Sequence, residues 1–133
     1  MKATQWILIS LISSVVIFSS CKKCKDEDKC VSFASAPVTK VTGATTGNIN
    51  QAIDLTVSYG VFNACGRFER FEQNTTGNST AINIIAKYQG CICQQVALTL
   101  QTTYQFKASQ PGTYNLNFLQ YKDTYLTHTI VIQ

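Results

Sequence analysis

The sequence predicts an all-β fold, a two-sheet antiparallel sandwich of about seven strands. Three observations predict it. After position 30 the chain is almost free of charge, and Thr, Asn, Gln and Ser supply its polarity, residue types that suit pleated strands and turns better than helices. Apolar residues recur at every second position through successive segments. Turn signals separate those segments at short intervals, and no stretch sustains helical apolar spacing. A small Greek-key β-barrel is the alternative architecture. The 133 residues accommodate one compact domain and fall short of large enzyme scaffolds such as the (β/α)8 barrel, which needs about 250 residues.

The elements begin with an address. Lys2 is followed by an apolar run from Trp6 to Phe18, then by the small residues Ser19 and Ser20 and by Cys21. This pattern predicts a secretory signal helix over residues 1–20. The run is too short to span a bilayer, which takes about 20 apolar residues. Phe18-Ser-Ser-Cys21 resembles the lipobox of bacterial lipoproteins, with Phe18 where Leu is commoner. The resemblance implies cleavage before Cys21, lipidation of its thiol and attachment to a membrane through the acyl chains. Two or three such chains anchor stably where one binds marginally. Residues 21–30 then read as a solvated, flexible tether rich in charge (Lys22, Lys23, Lys25, Asp26, Glu27, Asp28, Lys29). Lys25-Asp-Glu-Asp28 resembles the acidic export signals of surface lipoproteins, and Lys22 stands where Asp would favour inner-membrane retention. These resemblances imply an outer-membrane protein facing outward.

Residues 31–133 form the predicted sandwich domain. They carry six basic residues (Lys40, Arg67, Arg70, Lys87, Lys107, Lys122) and four acidic ones (Asp54, Glu69, Glu72, Asp123). Ile53, Leu55, Val57 and Tyr59 alternate with polar residues, as a half-buried strand does. In Arg67-Phe-Glu-Arg-Phe-Glu72 the rings of Phe68 and Phe71 have opposite parity, so a regular strand cannot bury both, and a bulge near Glu69-Arg70 is expected. Its charges suit an edge strand that resists sheet-to-sheet aggregation, or a binding edge. Thr75–Ser79 is a turn. Ile82, Ile84, Ala86 and Tyr88 alternate with Asn83 and Lys87. Val96, Leu98, Leu100, Tyr104 and Phe106 share one parity. Gln110-Pro-Gly112 is a turn, and Tyr114, Leu116 and Phe118 alternate with Thr113, Asn115 and Asn117. Lys122-Asp123 turns into a closing strand from Tyr125, with Leu126, Ile130 and Ile132 on one face. Pro111-Gly-Thr-Tyr114-Asn-Leu116 resembles the Gly-x-Tyr turn and strand of immunoglobulin-like domains, where the tyrosine hydroxyl ties back to nearby backbone. The likeness is to bacterial immunoglobulin-like modules. Leu116 replaces the sheet-bridging cysteine of antibody domains, and Trp6 of the signal is the only tryptophan.

Export makes disulfides the default for the six cysteines. With Cys21 lipidated, Cys24, Cys30, Cys65, Cys91 and Cys93 remain, an odd number. A direct Cys91–Cys93 bridge would be strained in an extended segment. Cys65 is therefore expected to pair with Cys91 or Cys93, and Cys30 with the other member or with Cys24.

Chemical motifs are sparse. His128, the only histidine, reads as a partly buried strand residue, which leaves a hydrolase triad without its base. Glu69 and Glu72 lie beside Arg67 and Arg70, and no phosphate, dinucleotide or calcium loop occurs. No enzyme, no metal, no cofactor and no nucleic-acid partner is expected, since a formal charge of +4 is too weak and scattered for the last. Asn74-Thr-Thr76 and Asn78-Ser-Thr80 match glycosylation sequons and mark an exposed turn. The expected role is a non-catalytic binding or interaction module for a surface protein or a glycan. Asn63, Asn74, Asn78, Tyr121 and Tyr125 are the candidate binding residues. A second class is a protease inhibitor or ligand carrier acting through loops Gly60–Gly66, Thr75–Ser79 and Tyr121–Thr124. A third is a thiol or metal protein using Cys91-x-Cys93.

Overall fold

A computed structural model describes residues 30–133; the predicted signal, the tether as far as residue 29, and with them Cys21 and Cys24, lie outside the described residues. Nine strands and no helix occur among the described residues: β1 (Val31–Ala36), β2 (Val38–Thr42), β3 (Thr46–Gly47), β4 (Ile53–Val61), β5 (Gly66–Thr76), β6 (Ser79–Gln89), β7 (Leu98–Phe106), β8 (Gly112–Tyr121) and β9 (Thr124–Ile132). They form a sandwich of two sheets. One sheet holds β1, β3, β5, β6, β8 and β9, and the other runs β2-β4-β7.

Strand β6 organises the larger sheet. One of its edges pairs with β5 in a hairpin. The other edge is shared: Ile84 to Gln89 pair antiparallel with β1, and Ser79 to Ile82 pair parallel with β8. The β6–β8 and β3–β9 pairings are parallel, so the sheet is mixed where alternation alone suggests an antiparallel one. The chain changes sheets at Pro37. Proline has no N–H for the β6 ladder, and its carbonyl accepts from Gly60 N at 2.9 Å, handing the chain on to β4. Ala36 and Val38, on either side, keep their side chains buried through the switch.

The core lies between the inward faces. Leu55, Val57 and Tyr59 of β4 meet Ile82 and Ile84 of β6, Leu116 and Phe118 of β8, and Ile130 of β9, all essentially buried. Burying a side chain of this size contributes roughly 1.5–3 kcal/mol. The expected parity holds along every one of these strands. The bulge falls where the two phenylalanines require it. Phe68 pairs with Ala86 and Arg70 with Ile85, which leaves Glu69 as the extra residue. Phe68 and Phe71 thus both pack on the core with ring centroids 4.8 Å apart, and Phe71 meets Tyr104 edge-on at 5.0 Å. The tyrosine tie suggested by Gly112-x-Tyr114 is present, with Tyr114 Oη donating to Gln110 O at 3.0 Å.

Candidate functional site

Two disulfides close one end of the sandwich. Cys65 pairs with Cys93 and Cys30 with Cys91, their Cα atoms 5.7 and 4.9 Å apart. The first is the expected partner choice for Cys65, and the second selects Cys91 for Cys30. Both members of Cys91-x-Cys93 are consumed, so that pair offers no free thiolate to a metal. Around the bridges, Ala64 N donates to Gln94 O at 3.0 Å and Gly90 N to Cys30 O at 2.9 Å. Asn63, one of the candidate binding residues, is buried here. Its Oδ1 accepts from Cys65 N at 3.0 Å and shapes the turn between β4 and β5.

The other candidates are spread over the molecule. Asn78 stands at the opposite end, in the two-residue loop Gly77-Asn78 of the β5–β6 hairpin, where Gly77 supplies the positive φ such loops need. Its Nδ2 donates to Thr113 O at 3.2 Å and its carbonyl accepts from Asn115 N at 2.9 Å, which fastens the parallel β6–β8 pairing. Tyr121 is exposed at the tip of the β8–β9 hairpin, with Lys122 Nζ 5.4 Å from its ring centroid. The three loops offered for an inhibitor therefore do not share one end: Gly60–Gly66 lies by the disulfides, and Thr75–Ser79 lies at the far end of β6.

Asn74 and Tyr125 do come together. Both line a groove of about 260 Å³ on the outer face of the larger sheet. Ala81 of β6, outward and small, leaves the depression. Glu72 and Asn74 of β5, Asn83 of β6, Leu119 of β8 and Tyr125 of β9 stand around it. Glu72 Oε1 takes both Nε and Nη2 of Arg70, at 3.1 and 2.6 Å. Asn83 Oδ1 accepts from Ser35 Oγ at 2.6 Å, which fixes its carboxamide at the border of the groove. Tyr125 keeps 45% of its surface exposed. Beside the groove, Asn117 and Asn115 are fixed by Thr127 and Thr129 across the β8–β9 ladder, at 2.7 and 3.0 Å. The site thus offers one half-exposed ring, one aliphatic side chain, carboxamides and a carboxylate. Alternation marks Asn83 as outward. What sequence reasoning missed is that Ala81, Asn83 and Glu72 meet Leu119 and Tyr125, because that requires the parallel β6–β8 register.

Other polar groups are tied into the frame. His128 Nε2 lies 3.1 Å from Ala44 O. Asp54 Oδ1 accepts from Gln105 Nε2 at 3.0 Å. Burial raises the phenol pKa of Tyr59, Tyr88 and Tyr104 above the usual 10.0. For Tyr59 the Phe68 backbone and Arg67 offset part of that, and for Tyr88 the hydrogen bond from Phe62 N does.

These features define a small, disulfide-bridged β-sandwich domain. Residues 55–131, more than half of the chain, match the family model of the ORF11 beta-sandwich domain, and the chain belongs to that family. The match runs from Leu55 in β4 to Val131 in β9, so it takes in the groove and leaves out β1–β3. No curated protein and no solved structure matches the chain.

Proposed function

We propose that the protein is a lipid-anchored, non-catalytic binding module of the bacterial cell envelope, held in the outer membrane through Cys21 and facing outward, whose groove between β5 and the β8–β9 hairpin receives a glycan. The groove carries the reading. A sugar ring presents C–H faces and a rim of hydroxyls. An aromatic face at Tyr125 covers the former, while Asn74, Asn83 and Glu72 supply donors and an acceptor for the latter. A protein partner would be served less well, because eight residues line the groove, against the roughly 20–30 a side of a stable protein interface. The non-catalytic part is supported by the ties of Glu72 to Arg70, Asp54 to Gln105 and His128 to Ala44. The anchor is supported by the Phe18–Cys21 lipobox and by the charged stretch after it.

Mass spectrometry of the membrane-extracted protein tests the anchor, which requires a chain beginning at Cys21 and carrying acyl mass. Affinity electrophoresis against a panel of envelope polysaccharides tests the groove. Retardation by at least one polysaccharide that Tyr125→Ala and Asn83→Ala abolish is the expected result. Equal mobility of all three proteins in every gel rejects the groove as a glycan site.

A further inference from the structure

The disulfide-bridged end has features that the groove does not use. Ile92 is 97% exposed. Its neighbours in sequence explain why: Cys91 is held to Cys30 and Cys93 to Cys65, so the residue between them is presented outward and has no room to fold back. A single exposed isoleucine is ordinary, but this one is not isolated. Phe62, 56% exposed and stacked on Tyr88 at 4.0 Å, stands in the loop fastened to the Ile92 loop by Cys65–Cys93 and by Ala64 N to Gln94 O. Val31 and Phe33 are exposed on β1 where it starts from the same end.

Two basic residues of the sheet lie close to this end. Arg67 and Lys87 face each other directly across the β5–β6 ladder, an arrangement that is unfavourable unless an anion lies between or above them. Among the described residues neither forms an ion pair; the exposed pair nearby joins Arg70 to Glu72. The Arg67 guanidinium folds toward the end, donating to Ala64 O at 3.0 Å and Gly66 O at 2.6 Å.

The tether reaches the domain at the same place. Cys30 immediately precedes β1 and is bridged to Cys91, the neighbour of Ile92. The segment from Cys21 to Cys30 reaches at most about 30 Å when extended, so an acylated Cys21 keeps this end of the sandwich within that distance of the bilayer.

We propose that the disulfide-bridged end is a membrane-docking surface, with Ile92 and Phe62 entering the headgroup region of an anionic bilayer and Arg67 and Lys87 facing its phosphates. Apolar side chains that sink into the interface, combined with basic residues, are how domains lie on membranes. The occupant is a lipid surface and not a second protein because the tether delivers that surface to this end. The inference rests on the lipid-anchored reading above.

The test uses the full lipidated chain in vesicles of phosphatidylethanolamine and phosphatidylglycerol, with brominated acyl chains as quenchers. The mature chain from Cys21 onward contains no tryptophan, so Ile92→Trp places one fluorophore at the tip, and Thr103→Trp, on the outer face of β7, serves as control. Both sites are exposed, so neither substitution threatens the fold. Strong quenching and a blue shift at residue 92 but not at 103 is the expected result. Replacing Arg67 and Lys87 by Ser should then weaken docking by about five-fold per lost cation, as the worth of one basic residue at an anionic surface implies. Anchored, acylated protein whose residue 92 is quenched no more than residue 103 overturns the docking surface and leaves the anchor standing. A chain without acyl mass overturns the anchor, and the docking surface with it.

Discussion

Deleting single residues tests whether the bulge in β5 exists to solve one parity problem. Phe68 already pairs with Ala86 and Arg70 with Ile85, neighbouring residues of β6. Removing Glu69 therefore joins two existing pairs into one regular ladder, with Phe68 and Phe71 still inward. The expected change is within about 1 kcal/mol, the centre of the range for single-residue changes. Deleting Thr56 from β4 is the contrast. There the ladder with β7 is regular from Ile53 to Val61, so one side of the cut must turn over. The smaller side exposes Ile53 and Leu55, now 5% and 0% exposed. At roughly 1.5–3 kcal/mol each the loss is about 3–6 kcal/mol, comparable with the whole stability of a small domain. Urea unfolding of the oxidised proteins, followed by circular dichroism, separates the two. A loss of about 3 kcal/mol or more on deleting Glu69, the cost of turning one ring into water, would refute the argument.

Further outcomes follow from the same structure. Replacing Cys65 and Cys93 together by Ser opens a loop with a sequence separation of 28, and replacing Cys30 and Cys91 opens one of 61. The chain-entropy relation assigns these about 3.5 and 4 kcal/mol, and wild-type urea midpoints for both double variants would refute it. Tyr59, Tyr88 and Tyr104 have pKa values raised by burial above the 10.0 of an unfolded chain, so the folded state holds their protons more tightly. Their contribution to stability is complete below pH 10.0 and is lost as pH rises through the folded values; phenolate absorbance and loss of circular dichroism should therefore rise together above that point. Gly66→Ala places a Cβ 2.6 Å from Tyr88 Cε1 and 2.7 Å from Val61 Cβ, and overpacking of this kind costs about 1–3 kcal/mol in thermal or urea unfolding. Lys122 holds φ at 50° in the β8–β9 turn, so Lys122→Gly should raise stability by about 1 kcal/mol, and a lowered melting temperature would contradict it.

Much of the sandwich was legible because alternation is a local property. β4, β6, β8 and the closing part of β9 have two-residue periods that survive into burial at Leu55, Ile84, Phe118 and Ile130. The bulge was legible because a violation of parity is also local. Residues 31–52 were not resolved into strands. β1 is mostly exposed with small inward residues such as Ala34 and Ala36, and β3 is two residues long, so neither carries an apolar period. The sharing of one β6 edge between β1 and β8 is a long-range pairing that no local pattern encodes. The groove shares that fate, since Asn74 and Tyr125 could be singled out as residues but not brought together. Asn63 shows the converse. A loop asparagine suggests an exposed binding residue, yet Asn side chains also cap their own turns, and only burial and the bond to Cys65 N reveal that use.

The proposed groove and the proposed docking end constrain each other through β6. Asn83 borders the groove and Gln89 closes the strand at the disulfides. Six residues of strand separate them, about 20 Å. With the tether alone holding the domain, nothing would fix the orientation of the groove above the membrane. With Ile92 and Phe62 seated in the headgroups, β6 stands on the bilayer and the groove opens sideways at a fixed height of about 20 Å. A ligand that rises from the surface to that height then meets Tyr125 and Asn83 without reorienting the protein. Mutating Ile92 to Asp should weaken capture of a surface-bound glycan while leaving affinity for the same glycan in solution unchanged. Equal loss in both settings would mean that residue 92 acts on the groove itself and that the two sites are one.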